Sequence, residues 1–177
     1  MDNQNNAAHS TANIYNPLIE AAKPVFILVN AMQQTTSQLS TDSLINKFSL
    51  LINNFEENAE KNGARYDAIQ AAKYCLCTFV DELAVRAGWA DETWSKNSLL
   101  VSFYDETWGG ERFFEIIQNL KQDPDKNIDL LEFMYLCLQF GYKGKYQVLN
   151  SGELEIDKIK RDLLALIHSK RPDQTAD

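Results

Sequence analysis

Apolar side chains recur at every third or fourth position along most of the chain, which is the spacing of one face of an α-helix. Asn16 and Pro17 precede the first stripe as a helix cap and a first helical residue. Pro24 is expected to kink this helix because proline has no N–H donor. The stripe itself consists of Leu18, Ala22, Val25, Val29 and Met32.

Five further amphipathic segments follow, with apolar stripes in residues 44–55, 69–83, 113–120, 128–138 and 156–167. Asp125 or Asn127 is predicted to cap the segment at 128–138, and Ser151 precedes the last one. The segments are separated by residues that typically end helices, namely Asn62-Gly63, Gly88, Asp123-Pro124 and Gly141. The sequence therefore predicts six main helices joined by short turns.

Segment 128–138 is apolar around nearly its whole circumference, which is typical of a central buried helix. No stretch shows a convincing strand pattern. We therefore predict an all-α domain over residues 14–171. Residues 1–13 are polar and are predicted to form a disordered arm, and residues 172–177 a flexible tail.

The stretch 91–110 interrupts the helical pattern. It repeats the tetrapeptide Asp-Glu-Thr-Trp fourteen residues apart and ends at Gly109-Gly110. Leu99, Leu100 and Phe103 predict a short helix between the two copies. The acidic pairs 91–92 and 105–106 are predicted to cap helical turns. The stretch is therefore predicted to be a joint between longer helices.

The charge balance bears on the class of partner. The 177 residues contain 17 Lys and Arg against 25 Asp and Glu, a net charge of -8, which disfavours nucleic acid as a ligand. The charge is uneven, because residues 143–171 contain seven basic and four acidic residues. We therefore expect a basic C-terminal end on an acidic body.

No cofactor and no metal are predicted. Cys75, Cys77 and Cys137 lie in apolar helices, and their spacing fits neither a disulfide framework nor a zinc site. Buried, reduced, cytosolic thiols are expected. His9 and His168 cannot build a local triad or metal site. The sequence contains neither a secretory signal nor an apolar run long enough to span a membrane.

Asp81 and Glu82 are the carboxylate pair with two open interpretations. A projection at 100° per residue places both away from the apolar stripe of their helix, which favours a solvated face on which Glu82 pairs with Arg86. The alternative is acid–base chemistry, which needs two carboxylates with different pKa values.

Aromatic residues outside the long helices form the second candidate feature. They either fill the seam between two helical layers or line a groove for a partner. The spacing does not decide between these interpretations for Trp89, Trp94, Trp108, Tyr142 and Tyr146.

With these residues in view, the chain resembles the DotU/TssL (IcmH) family of type VI and related type IVB secretion systems. The most specific blocks are Thr107-Trp-Gly-Gly-Glu111 with Phe113-Phe114, and Leu130-Leu-Glu132 with Tyr135-Leu-Cys-Leu138. The resemblance covers about 130 residues, from Asn16 to Tyr146. It also includes Val80-Asp81-Glu82, Ser98-Leu-Leu100 and Gly141-Tyr-x-Gly-x-Tyr146.

The chain departs from the family pattern at three places. Ala87-Gly88-Trp89-Ala90 stands where the family usually has Thr-Pro-Trp-Gly, Tyr104 where it has His, and Lys145 where it often has Arg. Only Trp94 of the first Asp-Glu-Thr-Trp copy matches the family. The resemblance therefore makes the repeat coincidental and makes Trp108, Gly109 and Gly110 the structural corner.

The resemblance implies a hook-shaped domain of two packed helical bundles separated by a cleft, without enzymatic activity. It implies that Asp81 and Glu82 border this cleft and contact other secretion components. Trp89, Trp94, Tyr142 and Tyr146 are predicted to line the same partner-binding surface. Gly141 and Gly144 are predicted to be structural, together with the corner glycines.

The resemblance also implies partners and a location. The expected partners are an IcmF/TssM-like inner-membrane protein and TssK-like and TssE-like baseplate subunits, with a weak homodimer as a further expectation. The expected location is the cytoplasmic face of the bacterial inner membrane, with a transmembrane anchor after the last helix. The predicted role is to link the inner-membrane complex to the baseplate. A type IVB stabilising subunit and a carboxylate-based hydrolase remain as alternatives.

This interpretation makes a prediction about the acidic pair. If Asp81 and Glu82 lie on a solvated face, reversing both charges should leave helicity and melting intact while it weakens capture of a baseplate subunit.

Overall fold

The computed structural model describes residues 15–34 and 39–171. Its helices are α1 (Pro17–Gln34), α2 (Thr41–Lys61), α3 (Tyr66–Arg86), α4 (Glu92–Asn97), α5 (Leu99–Tyr104), α6 (Arg112–Leu120), α7 (Pro124–Gln139) and α8 (Gly152–Lys170), with a 3-10 helix at Gly144–Val148. No strand occurs in these two ranges. The predicted all-α single domain is confirmed, whereas the predicted arm at 1–13 and tail at 172–177 lie outside the described residues.

Local signals set most helix ends as predicted. The side chain of Asn16 accepts hydrogen bonds from the N–H groups of Leu18 and Ile19 at 3.0 and 3.2 Å, and so caps α1. Helix α1 continues through Pro24 to Gln34. Helices α2 and α3 are each followed by a glycine with positive φ, at Gly63 and Gly88, as a helix end favours.

Two predicted caps are wrong. Helix α7 begins at Pro124 with Asp123 as its cap, whose side chain accepts from the Lys126 N–H, so neither Asp125 nor Asn127 caps it. The reason is that proline is favoured in the first turn of a helix and does not have to stop one. The second acidic pair also caps no helix start, because Asp105 ends α5 in the left-handed conformation with φ 54°.

The helices share one hydrophobic core. Helices α1, α2 and α3 pack together on one side, α6 and α8 pack on α7 on the other, and α7 also contacts α1 and α3. Helix α7 is central, as its apolar circumference predicts, and it buries Leu130, Leu131, Phe133, Met134, Cys137 and Leu138. The three cysteines are buried and unpaired by disulfides. None of the described helices is both long and apolar enough to cross a bilayer.

Candidate functional site

Asp81 lies in the C-terminal half of α3 and holds the start of α5. Its Oδ1 accepts from the Leu99 N–H at 2.9 Å and from the Trp94 indole Nε1 at 3.1 Å. Its Oδ2 accepts from the Leu100 N–H at 3.0 Å. The first N–H groups of a helix have no partner within the helix, and the Asp81 carboxylate accepts their hydrogen bonds. Its negative charge also interacts favourably with the positive, N-terminal end of the helix dipole.

Glu82 performs the same task for the loop between α7 and α8. Its Oε2 accepts from the Lys143 N–H at 2.8 Å, and its Oε1 accepts from the Gly144 N–H at 2.7 Å. Arg86 donates to Glu82 at 3.3 Å, as the spacing of four residues predicts, and also to the carbonyl of Gly141 at 2.6 Å. Glu82 and Arg86 together fix loop 141–144 against α3.

The prediction of a solvated acidic face is therefore wrong. The Glu82 side chain is only 12% exposed. Asp81 is half-buried and receives three N–H donors. Helical projection failed here because it considers one core stripe, whereas α3 is covered on a second side by α4, α5 and the loop after α7. Those elements supply hydrogen-bond donors in place of an apolar surface.

A cleft of about 400 Å³ opens beside this pair. It brings together four residues predicted to line a partner surface: Asp81, Glu82, Trp94 and Tyr142. Trp108 and Gly109, predicted as a structural corner, line it as well. Sequence reasoning assigned none of the remaining lining residues to a partner surface, although Ser98, Leu100 and Thr107 belong to the blocks that carry the family resemblance. The other lining residues are Thr78, Val85, Ser95 and Gln147.

The aromatic side chains at the cleft differ in exposure. Trp94 and Tyr142 are each only 1% exposed and form its inner wall. Tyr142 is held by a 3.1 Å hydrogen bond between its hydroxyl and that of Thr78. Trp108 is 59% exposed and lies at the rim, as does Val85, which is 64% exposed. The rim therefore presents apolar surface to solvent, the kind of surface that binds protein partners.

Trp89 and Tyr146 do not line the cleft. Trp89 stacks on Phe48 with ring centroids 6.1 Å apart, and Tyr146 packs edge-on against Phe114 at 4.8 Å. Both side chains are half-buried against the hydrophobic core. These two aromatic residues fill seams between helices, the first of the two interpretations that the sequence left open.

At the back of the cleft, the backbone of Gly109 and Gly110 packs closely against Thr78 of α3 and against the loop after α7. Gly109 and Gly110 are buried, and a Cβ on Gly109 would lie 2.8 Å from the Thr78 hydroxyl. The Gly110 carbonyl accepts from the Lys145 N–H at 3.1 Å. The turn before α6 is thereby held against α3 and against the loop after α7.

Burial governs the electrostatics of the acidic pair. Desolvation outweighs the N–H donors and raises the pKa of Asp81 to about 6. The same cause raises the pKa of Glu82. Within residues 15–34 and 39–171, no group of three or more His, Cys, Asp or Glu side chains is placed to hold a metal ion.

The raised pKa predicts a pH-dependent cost for Asp81→Asn. Because the folded-state pKa of about 6 exceeds the ordinary 3.8, the stabilising contribution of Asp81 is fully present below pH 3.8 and is lost as pH rises through 6. The variant does not titrate at this position. Its loss of unfolding free energy relative to wild type should be larger at pH 4 than at pH 7, by up to about 3 kcal/mol. Urea unfolding of both proteins at the two pH values measures this difference, and a larger loss at pH 7 would contradict it.

The family of this chain follows from its similarity to known proteins. The family model described as "Type VI secretion system protein DotU" matches residues 17–177. This chain belongs to the DotU family. A crystal structure of TssL from Vibrio cholerae is 33% identical with a TM-score of 0.78, and the match covers 88% of this chain and 99% of that one. Comparison with curated proteins found no match.

Two more distant structures share the fold. The cytoplasmic domain of TssL from Acinetobacter baumannii is 24% identical with a TM-score of 0.79, covering 86% of this chain and 98% of that one. SciP/TssL from enteroaggregative Escherichia coli 042 is 19% identical with a TM-score of 0.70, covering 89% of each chain. The resemblance found in the sequence is confirmed, and membership of the DotU family makes the chain a structural component of a type VI secretion system.

Proposed function

We propose that this DotU-family chain is a non-enzymatic assembly component that links the inner-membrane complex of a type VI secretion system to its cytoplasmic baseplate. The observation that supports this proposal most directly is the cleft, whose rim exposes apolar surface at Val85 and Trp108. The proposed partners are a TssM-like membrane protein and TssK-like or TssE-like baseplate subunits. The proposed location is the cytoplasmic face of the inner membrane, in keeping with the A. baumannii relative, which is a cytoplasmic domain of TssL.

The bonding of the acidic pair supports assembly over hydrolysis. A catalytic carboxylate has to exchange a proton with a substrate. All four carboxylate oxygens of Asp81 and Glu82 already accept hydrogen bonds from the protein. In this proposal the pair shapes the cleft wall, and the partner is recognised by the residues that remain exposed at the rim.

A rim substitution tests this proposal. Trp108→Ala should weaken capture of the purified baseplate subunit about tenfold or more, because truncation of a tryptophan that serves as an interface hot spot costs about 2 kcal/mol or more. Tyr66→Ala is the matched control. Tyr66 is an aromatic residue that is 77% exposed at the start of α3, sixteen residues from Glu82 and about 24 Å away along the helix.

A second pair of variants removes the dependence on one tryptophan. Val85→Lys should weaken capture, whereas Leu50→Lys, which changes an aliphatic residue of similar exposure (60%) on α2, should not. Melting temperatures of all four variants establish that the fold is retained. Capture at wild-type strength by both rim variants would refute the cleft as the partner site.

A further inference from the structure

The last helix is fastened at its C-terminal end by a half-buried arginine. The Arg171 side chain is only 14% exposed and forms ion pairs with Asp129 and with Glu132, the latter at 3.0 Å. Its backbone N–H closes the helix by donating to the Ile167 carbonyl at 2.8 Å. Arginine suits this position because its planar guanidinium can serve two carboxylates at once.

Asn16 extends this fastening to the first helix. Its Nδ2 donates to the Asp129 carbonyl at 2.9 Å and to the Glu132 carboxylate at 3.1 Å, while its Oδ1 caps α1. Asn16 is 7% exposed. The start of α1, residues 129–132 of α7 and the end of α8 are therefore joined through one network, the terminal latch of Asn16, Asp129, Glu132 and Arg171.

The terminal latch also shows where the basic residues at the end of α8 find their partners. Lys170 pairs with Asp125 at 3.0 Å, and Arg171 pairs with the two α7 carboxylates. The positive charges at the end of α8 are thus neutralised by the acidic start of α7. These ion pairs within the protein fix the end of α8 to α7.

The terminal latch and the cleft lie at opposite ends of the domain. Asp129 lies in the second turn of α7, whereas Tyr142, in the cleft wall, follows the end of that helix. The distance along α7 from Asp129 to Gln139 is about 15 Å. Helix α8 runs the other way, from its contact with the 3-10 helix to the latch, over about 28 Å.

We propose that the terminal latch is a positioning device that holds the end of α8 at the end of the domain opposite the cleft. A domain attached to its membrane complex through this end would present the cleft away from its attachment. This inference rests on the proposed function for its purpose, but the latch itself can be tested without any partner.

Hydrogen exchange on the purified 177-residue chain tests the latch. Arg171→Ala should accelerate amide exchange in residues 167–171 at least about tenfold and leave α3 and the cleft residues unchanged, because charge-assisted bonds that close one helix end control local opening. Glu132→Gln should act in the same direction. Lys158→Ala, which changes an exposed α8 residue outside the network, is the control. Unchanged exchange at 167–171 in both latch variants overturns the proposal.

A second measurement separates this proposal from the proposed function. Arg171→Ala in the native gene should lower type VI secretion several-fold, while the purified variant still captures the baseplate subunit at wild-type strength. Faster local exchange with normal secretion would overturn the positioning role. If Trp108→Ala and Val85→Lys leave capture intact while Arg171→Ala loosens α8 and lowers secretion, the cleft assignment fails and the latch stands.

Discussion

Replacing Asp81 and Glu82 together by lysine is expected to unfold the domain. Besides the Arg86 guanidinium, the two carboxylates receive five N–H donors, from the Trp94 indole and from the backbone of Leu99, Leu100, Lys143 and Gly144. Each buried donor left without an acceptor costs about 1–3 kcal/mol, so the total reaches the whole stability of a typical domain, about 5–15 kcal/mol. The earlier expectation that helicity would survive this change assumed a solvated pair.

Circular dichroism and urea unfolding measure this effect. The matched control is Glu57→Lys with Glu60→Lys, two exposed positions on α2 that give the same change in net charge. The control should melt within a few degrees of wild type. Single changes to the isosteric amides, Asp81→Asn and Glu82→Gln, should each cost about 1–3 kcal/mol, because one donor then faces an amide N–H. A cooperative, near-native transition for the double lysine variant would refute the structural role of the pair.

Replacing Gly144 by alanine is expected to cost about 3 kcal/mol or more. Gly144 has φ +52°, and a Cβ there would lie 2.7 Å from the Gly110 carbonyl oxygen and 2.8 Å from the Phe114 ring. The left-handed conformation alone costs a non-glycine residue about 1–2 kcal/mol. The backbone at Gly144 and Lys145 cannot move away easily to relieve this contact. Glu82 accepts a hydrogen bond from the Gly144 N–H, and the Gly110 carbonyl accepts one from the Lys145 N–H.

Gly88→Ala is the matched control for this contact. Gly88 also has a positive φ, +81°, but a Cβ there meets nothing within 4 Å. Its variant should lose only the conformational cost, about 1–2 kcal/mol. Urea denaturation of both proteins gives the difference, which reports the packing at the back of the cleft. Equal losses would show that the loop after α7 adjusts freely.

The acidic pair shows why the sequence could propose this site but could not assign its chemistry. Glu82 and its backbone donors are 61 and 62 residues apart, and Asp81 and its donors are 13 to 19 apart. No helical period reports such contacts. Trp94 and Tyr142 illustrate the same limit, because their exposure depends on which helices cover them, and both are buried.

The sequence by itself determined the six main helices, the short helix α5, most of the helix ends and the family, but not the short helix α4 or the 3-10 helix. These features depend on local causes: the 3.6-residue spacing of apolar side chains, the Asn16 cap and the positive-φ glycines at 63 and 88. Only the tertiary structure decided which polar groups form hydrogen bonds and ion pairs within the protein and which surface remains exposed to solvent. Asp81, Glu82 and Arg171 are charged residues whose partners come from distant helices and loops, so their roles become visible only when those elements are packed together.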